Sequence, residues 1–298
     1  KPLNLTSQSI YSKIDPKSDY LSSFKVLKTK YIYSHKSIVI GGRKKALIGL
    51  EAINKLKNYK AIRQTPLIIG SPTSSMMSAY NKFGCISIRE MYYKIFDLYG
   101  NEHELIRQMV WRDFYYNLVF NYPETFLTNS HSYIKDYIWE NDTEKFEIWC
   151  TGNTGYTFVD ASMRQLNSEG YMSNRGRLAC ASFLIRNLHI DWKWGERYFA
   201  TKLIDYDPSQ NNGNWQWVSS SGYESQAYYR YINVLKDQVE FDPECLYAKK
   251  YIDEIKDLDC SIILSGEAYL HSSYNEPIVD IKDSMNDFKE SIKKIKGK

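Results

Sequence analysis

Apolar residues along this chain recur at spacings of three and four far more often than they alternate, which predicts an all-α, almost entirely helical body. The first forty residues are the exception. They are polar, rich in Ser and Lys and weakly periodic, the pattern of an arm or linker, and within them only Ser37-Ile38-Val39-Ile40 reads as a short strand. From Gly41-Gly42 helical spacing sets in through Ala46, Leu47, Leu50, Ile53 and Leu56, and Pro66, Gly70 and Pro72 then mark a loop. The expected division is an arm over residues 1–40 and a helical domain over 41–298.

Two later segments carry the clearest periodicity. Between Leu105 and Phe120, Ile106, Val110, Phe114 and Leu118 line one face at steps of four, and Gln108, Trp111, Arg112 and Tyr115 line another. The second face joins hydrogen-bonding groups to aromatic surface, as a ligand-lining helix needs; an ordinary amphipathic helix with a packed Trp has the same pattern. A second helix is predicted from Arg175 to Leu188, with Leu178, Ala181, Ile185 and Leu188 as its buried stripe and Asn174 as its N-cap.

Composition adds limits. The 298 residues are ample for a sizeable core, and the 43% apolar fraction is that of an ordinary globular protein. A net charge of +4 permits nucleic-acid binding without requiring it. Cys85, Cys150, Cys180, Cys245 and Cys260 are widely spaced and form no CxxC pair, so neither a zinc site nor a disulfide framework is expected and an intracellular, reducing setting is the simplest inference. No apolar run reaches the length of a membrane span, which predicts a soluble protein. The start at Lys1 rather than Met points to trimming or to a longer parent chain.

Three groups of residues have chemistry to offer. Ser74-Ser75-Met76-Met77-Ser78 gathers three hydroxyls near a helix start, where they serve as a phosphate cradle or simply as caps. Asp205 and Asp207 alternate around Tyr206 ahead of Asn211, so a short turn there directs two carboxylates and an amide toward a ligand, or else caps a helix. The seven tryptophans are redox-capable aromatics, though tryptophan more often anchors a core.

Between Gly155 and Trp217 the motifs Gly155-Tyr156, Phe158-Val159-Asp160-Ala161, Met163-Arg164-Gln165-Leu166, Met172-Ser173-Asn174-Arg175-Gly176-Arg177, Ile190-Asp191-Trp192 and Asn211-Asn212-Gly213-Asn214-Trp215-Gln216-Trp217 follow in order. This run closely resembles the flavin-binding core of the photolyase and cryptochrome family. The resemblance implies a bound FAD, with its diphosphate at Ser74, Ser75, Met76, Met77 and Ser78, where Met76 replaces a family arginine. It further implies that Tyr59 contacts phosphate, that Arg112 is a cofactor contact, that Tyr206 and the Arg177–Asp205 pair lie near the isoalloxazine ring, that Asp207 accepts from N3–H, and that Asn211 faces N5. Trp215, Trp192 and Trp139 stand at positions similar to the family's electron-transfer chain.

The same resemblance implies UV-damaged DNA as a partner. Trp111 and Trp217 resemble the pair that packs on a flipped-out cyclobutane pyrimidine dimer, with Asn174 and Leu178 beside it and Arg63, Tyr115, Arg175 and Gly176 among the DNA contacts. Gln108 occupies a position that is usually Glu in dimer photolyases; glutamine can still hydrogen-bond a base edge but cannot act as an acid. Gln at this position is similar to six-four photolyases, which need a histidine pair where this chain has Ser173-Asn174. The Met172–Arg177 motif and Asp205-Tyr206-Asp207-Pro208 look like DASH cryptochromes. The reading is therefore blue-light repair of pyrimidine dimers, with a cryptochrome-type flavoprotein lacking efficient repair as the alternative. The resemblance covers residues 41–298, the C-terminal half of the family, which implies FAD without an antenna chromophore in this chain and a separate N-terminal α/β half as a candidate partner.

Overall fold

The computed structural model describes residues 38–126, 133–222 and 231–296. Among them no strand forms, and the helical spacing is realised as helices, with a lone bridge between Ile68 and Ser71 in the expected loop. Most of the expected arm lies outside the described residues; Ile38–Ile40 bend and form no strand.

A smaller unit comprises α1 (Arg43–Ala52), α2 (Tyr59–Ile62), α3 (Ser78–Lys82), α4 (Ile88–Tyr99) and the long α5 (Glu104–Asn121). Ala46, Leu50, Ile53 and Leu56 are buried in it with Met77, Ile95, Leu105 and Met109. Ser87 starts α4 with a reciprocal capping box to Glu90, which satisfies two otherwise orphaned amides. Leu47, expected inward, is exposed, because the single buried stripe of α1 passes through Ala46 and Leu50. Val110 is exposed as well. The N-terminal half of α5 packs on α4 through Leu105, Ile106 and Met109, whereas its C-terminal half turns Tyr115 toward the larger unit, so no one stripe runs its length.

The larger unit contains α6 (Thr143–Thr151), α7 (Thr157–Glu169), α8 (Asn174–Arg186), α9 (Trp192–Lys202), α10 (Pro208–Ser219), α11 (Val234–Phe241), α12 (Leu246–Tyr251), α13 (Cys260–Ser265) and α14 (Ile281–Lys296). At its centre α7 packs on α6, α8, α11 and α12 and buries Phe158, Val159, Met163 and Leu166, each contributing roughly 1.5–3 kcal/mol relative to exposure. Two charged members of the Gly155–Trp217 motifs brace this core. Fully buried Asp160 accepts from the Thr154 amide and hydroxyl, the Gly155 amide and the Tyr274 hydroxyl, at 2.5 to 3.0 Å. Arg164 makes a bidentate pair with Glu254 at 2.7 and 2.9 Å.

Two glycines set the approach of the helices that carry the site. A Cβ on Gly213 in α10 would stand 2.3 Å from the Tyr115 ring of α5, and one on Gly195 in α9 would stand 2.2 Å from the Trp215 ring of α10. Cys245 and Cys260 form a disulfide with Cα atoms 5.7 Å apart, contrary to the expectation from spacing. The turn after α11 returns the chain to the start of α13, a proximity no local motif encodes, and the pairing removes the support that isolated cysteines gave to a reducing setting. Among the described residues no helix is long and apolar enough to cross a membrane.

Candidate functional site

A cleft of about 250 Å³ opens between the two units. Tyr59 of α2 and Arg63 at its C-terminal end line one wall, the turn from Thr73 to Ser78 another, and Gln108 and Arg112 of α5 a third. Ser74, Ser75, Met77 and Ser78 all face it, and the Oγ atoms of Ser74 and Ser75 also accept from the Met76 and Met77 amides at 3.4 Å, so the cluster is a turn and a wall but caps no helix. Met76 is a correction: it takes a left-handed backbone (φ 53°) within the turn and is absent from the lining.

Arg177 and Asp205 join this cleft to a second, narrower one that carries Tyr206, Asp207, Asn211 and Trp215. Arg177 Nη2 donates to both Asp205 oxygens at 2.9 and 3.1 Å, the expected pair. Burial works against the guanidinium charge, but Asp205 outweighs it and holds Arg177 above its ordinary value. Asp207 is the N-cap of α10: its Oδ1 accepts from the Ser209 and Gln210 amides at 3.0 and 3.2 Å. Its Oδ2 accepts from the Tyr116 hydroxyl and lies 3.5 Å from Lys82 Nζ. Burial and the Asp207 bond push the Tyr116 phenol up to about 12. Asn211 Nδ2 donates to the carbonyl and Oε1 of Glu196, at 3.1 and 3.0 Å, which leaves its Oδ1 for the cleft. Burial raises Glu196, with the Asn211 bond opposing.

An open recess of about 550 Å³ lies beside both clefts. Arg63, Gln108, Trp111, Tyr115, Asn174, Leu178 and Trp217, all read above as DNA contacts, line it together. Arg175 and Gly176 are corrections. Arg175 is committed to a bidentate pair with Asp237 at 2.5 and 2.7 Å and stacks on Phe241, while Gly176 is buried in contact distance of Ser162. The N-cap of α8 is also corrected: the Ser173 hydroxyl accepts from the Gly176 amide at 3.1 Å, which frees Asn174, in the first turn, to line all three recesses.

The three expected redox tryptophans belong to one apolar core, Trp192 and Trp215 buried and Trp139 packed on its edge. Trp215 meets Phe199 and Trp149 with ring centroids 5.0 and 6.4 Å away, and Trp139 meets Tyr137 at 4.6 Å.

Several lining residues escaped the sequence reading. Gln210 and Asn214 lie two turns and one turn before the predicted Trp217 on the same face of α10, and the helical spacing that singled out the polar face of α5 would have found them. Asn81 and Tyr171 had no such signal, because only tertiary packing brings them to the site; Glu104 and Glu196 stand behind the lining, bonded to Gln108 and Asn211, and Glu104 shares the helical spacing of Gln108. The buried Asn81 Oδ1 has no hydrogen-bond partner among the described residues and belongs to the first cleft, so it awaits a ligand donor. With hydroxyls at one end and carboxylate, amide and guanidinium at the other, the two clefts fit a long ligand with an anionic middle and a hydrogen-bonding ring such as FAD.

Residues 105–294 match the family model described as the FAD binding domain of DNA photolyase. A deoxyribodipyrimidine photo-lyase of Vibrio cholerae is 36% identical over 235 residues, covering 76% of this chain and 48% of the relative, and a cryptochrome DASH of Synechocystis sp. is also 36% identical, over 76% and 48%. The solved archaeal photolyase of Sulfolobus tokodaii, with two FAD molecules, superposes with a TM-score of 0.80 at 38% identity over 93% of this chain and 61% of that one. A class III photolyase from Agrobacterium tumefaciens gives 0.79 at 31% identity, over 88% and 57%. The chain thus spans about half the length of the curated relatives it matches. On its sequence, its helical architecture and the run of motifs around its clefts, this chain belongs to the family of the FAD binding domain of DNA photolyase.

Proposed function

We propose that residues 41–298 act as the FAD-binding half of a light-driven enzyme that repairs cyclobutane pyrimidine dimers in DNA. The observation that carries this is the sharing of walls: Asn174 lines both inner clefts and the open recess, Gln108 and Arg63 line the first cleft and the recess, and Leu178, Gln210 and Asn214 line the second cleft and the recess. A base in the recess is then one side chain away from a ring in the clefts.

When bound, reduced FAD would supply a blue-light-excited electron donor for splitting the dimer ring, with no net redox change. Tyr59 and the Ser74–Ser78 turn would hold its phosphates in the first cleft, where Arg112 would also contact it; in the second, Tyr206 would lie by the ring, Asp207 would accept from N3–H and Asn211 would offer N5 the carbonyl that Glu196 leaves free. The Arg177–Asp205 pair fixes a positive charge by the ring. Trp111 and Trp217 stack on the extruded bases, each worth about 1–3 kcal/mol, and a damaged pair is already cheap to unstack. Trp215, Trp192 and Trp139 relay electrons inward to restore the reduced state. Since the relatives are about twice as long as the matched region, an N-terminal α/β half is proposed as partner, within a longer chain or apart from it.

The test is to illuminate the FAD-loaded protein with dimer-bearing single- and double-stranded oligonucleotides and measure dimer loss. No light-dependent loss, with bound reduced FAD confirmed, overturns the proposal. One observation favours a second reading: Gln108 puts an amide where the recess would use an acid, as suits a cryptochrome-type flavoprotein that binds DNA without efficient repair.

A further inference from the structure

Arg63 and Gln108, on the wall between the first cleft and the recess, form a hydrogen-bonded set with Glu104, which lines neither. Arg63 Nη1 meets Glu104 Oε1 at 2.5 Å, Arg63 Nη2 donates to Gln108 Oε1 at 3.0 Å, and Gln108 Nε2 donates to the same Glu104 oxygen at 2.7 Å. Glu104 and Gln108 are one turn apart on α5, and Arg63 ends α2. An arginine only donates and a carboxylate only accepts, so these partners leave the Gln108 amide one orientation. Reversing it would set its NH2 against guanidinium N–H groups and its carbonyl against a carboxylate. One N–H on Nε2 and one lone pair on Oε1 remain unused within this set, on a side chain that lines the recess. Glu104 is itself outside that lining, with its side chain 9% exposed, so it acts on a ligand there through the side chains it holds, Gln108, Arg63 and, at 3.7 Å, Arg107.

We propose that Glu104 is a specificity-determining positioning residue: by locking the Gln108 amide it sets the recess to accept a pyrimidine edge with a carbonyl beside an N–H, as in thymine, and to reject the inverted edge of cytosine. The inference rests on the lesion-binding reading above. Thymine in a dimer keeps O4 as acceptor and N3–H as donor, which complement the remaining N–H and lone pair. Cytosine offers an amino donor and a bare N3, so donor meets donor and acceptor meets acceptor. A free glutamine serves both edges by turning half a revolution about its last torsion, and the clamp prevents that turn. A good bidentate match implies discrimination on the order of 10- to 100-fold.

The experiment measures dark binding of the FAD-loaded protein to fluorescent single-stranded oligonucleotides carrying one thymine–thymine dimer, or one freshly prepared dimer with cytosine at the 5′ or the 3′ position. The parent should favour the thymine dimer over at least one cytosine dimer by about 10-fold or more. Glu104→Gln should lower that ratio several-fold, and the charge-free double variant Arg63→Met, Glu104→Gln should bring it to near unity. Flavin content and melting temperature report folding, and the ratio of two affinities is a readout that general loosening does not move. Equal binding of all three dimers by the parent, or an unchanged ratio in the double variant, overturns the role of Glu104 and leaves the lesion site standing. Binding of no dimer above undamaged DNA overturns the lesion site itself, and this inference with it.

Discussion

Replacing Gln108 with glutamate would set a second carboxyl group against Glu104. The native contact from Gln108 Nε2 to Glu104 Oε1 is 2.7 Å, and two negative charges at that separation repel by about 6 kcal/mol at an effective dielectric constant near 20. Arg63, at 2.5 Å from Glu104, and Arg107, at 3.7 Å, offset part of this. The variant pair should therefore hold one shared proton through neutral pH. The sign follows from linkage: the folded variant binds that proton more tightly than its unfolded chain, so its stability relative to the parent is intact in acid, below the ordinary carboxyl range, and falls as pH rises and the proton leaves. A loss of about 2–4 kcal/mol between pH 5 and pH 9 is expected, less than the bare repulsion because the arginines remain. Urea unfolding of both FAD-loaded proteins at pH 5, 7 and 9 measures it, the parent cancelling all other titrations. While the proton is held, the variant also offers the recess a carboxylic acid, so its dimer loss per absorbed photon should exceed the parent's at pH 6 and lose that advantage by pH 9. A stability gap that does not change with pH would refute the reasoning.

Two further outcomes follow from the clefts. Asp205→Ala leaves Arg177 with an uncompensated charge and should cost about 3–5 kcal/mol in denaturant unfolding, together with loss of flavin absorbance on gel filtration; retention of both flavin and stability would show that the pair holds neither. Trp215→Phe should abolish photoreduction of oxidised FAD in the presence of an external reductant, while protein loaded with already reduced FAD still splits dimers under light. Photoreduction at the parental rate would remove Trp215 from the relay.

The local rules and the tertiary structure divide the site between them at identifiable residues. Helical spacing found the lining face of α5 because residues three and four apart share a side of any helix, whatever packs against it. The same rule misplaced Val110, since which side of α5 is buried changes where α4 gives way to α10. The Met172–Arg177 motif offered Arg175 for DNA and Arg177 for the flavin; only the presence of Asp237 across from Arg175 makes it a structural ion pair, while Arg177 meets Asp205 in the cleft. The serine that caps α8 sits one place before the asparagine expected to do so, and that single step makes Asn174 available to all three recesses.

By itself, then, the sequence determined the helical architecture, the order of the motifs and, through their resemblance, the family, because each of these is written in spacing along the chain. The tertiary structure decided which charges meet. Glu104 lies 41 residues from Arg63, and Cys245 lies 15 from Cys260; Asp207 lies 91 from Tyr116. Partners so far apart are set by how helices pack, and hydrogen bonds and ion pairs depend on ångström distances that periodicity does not carry.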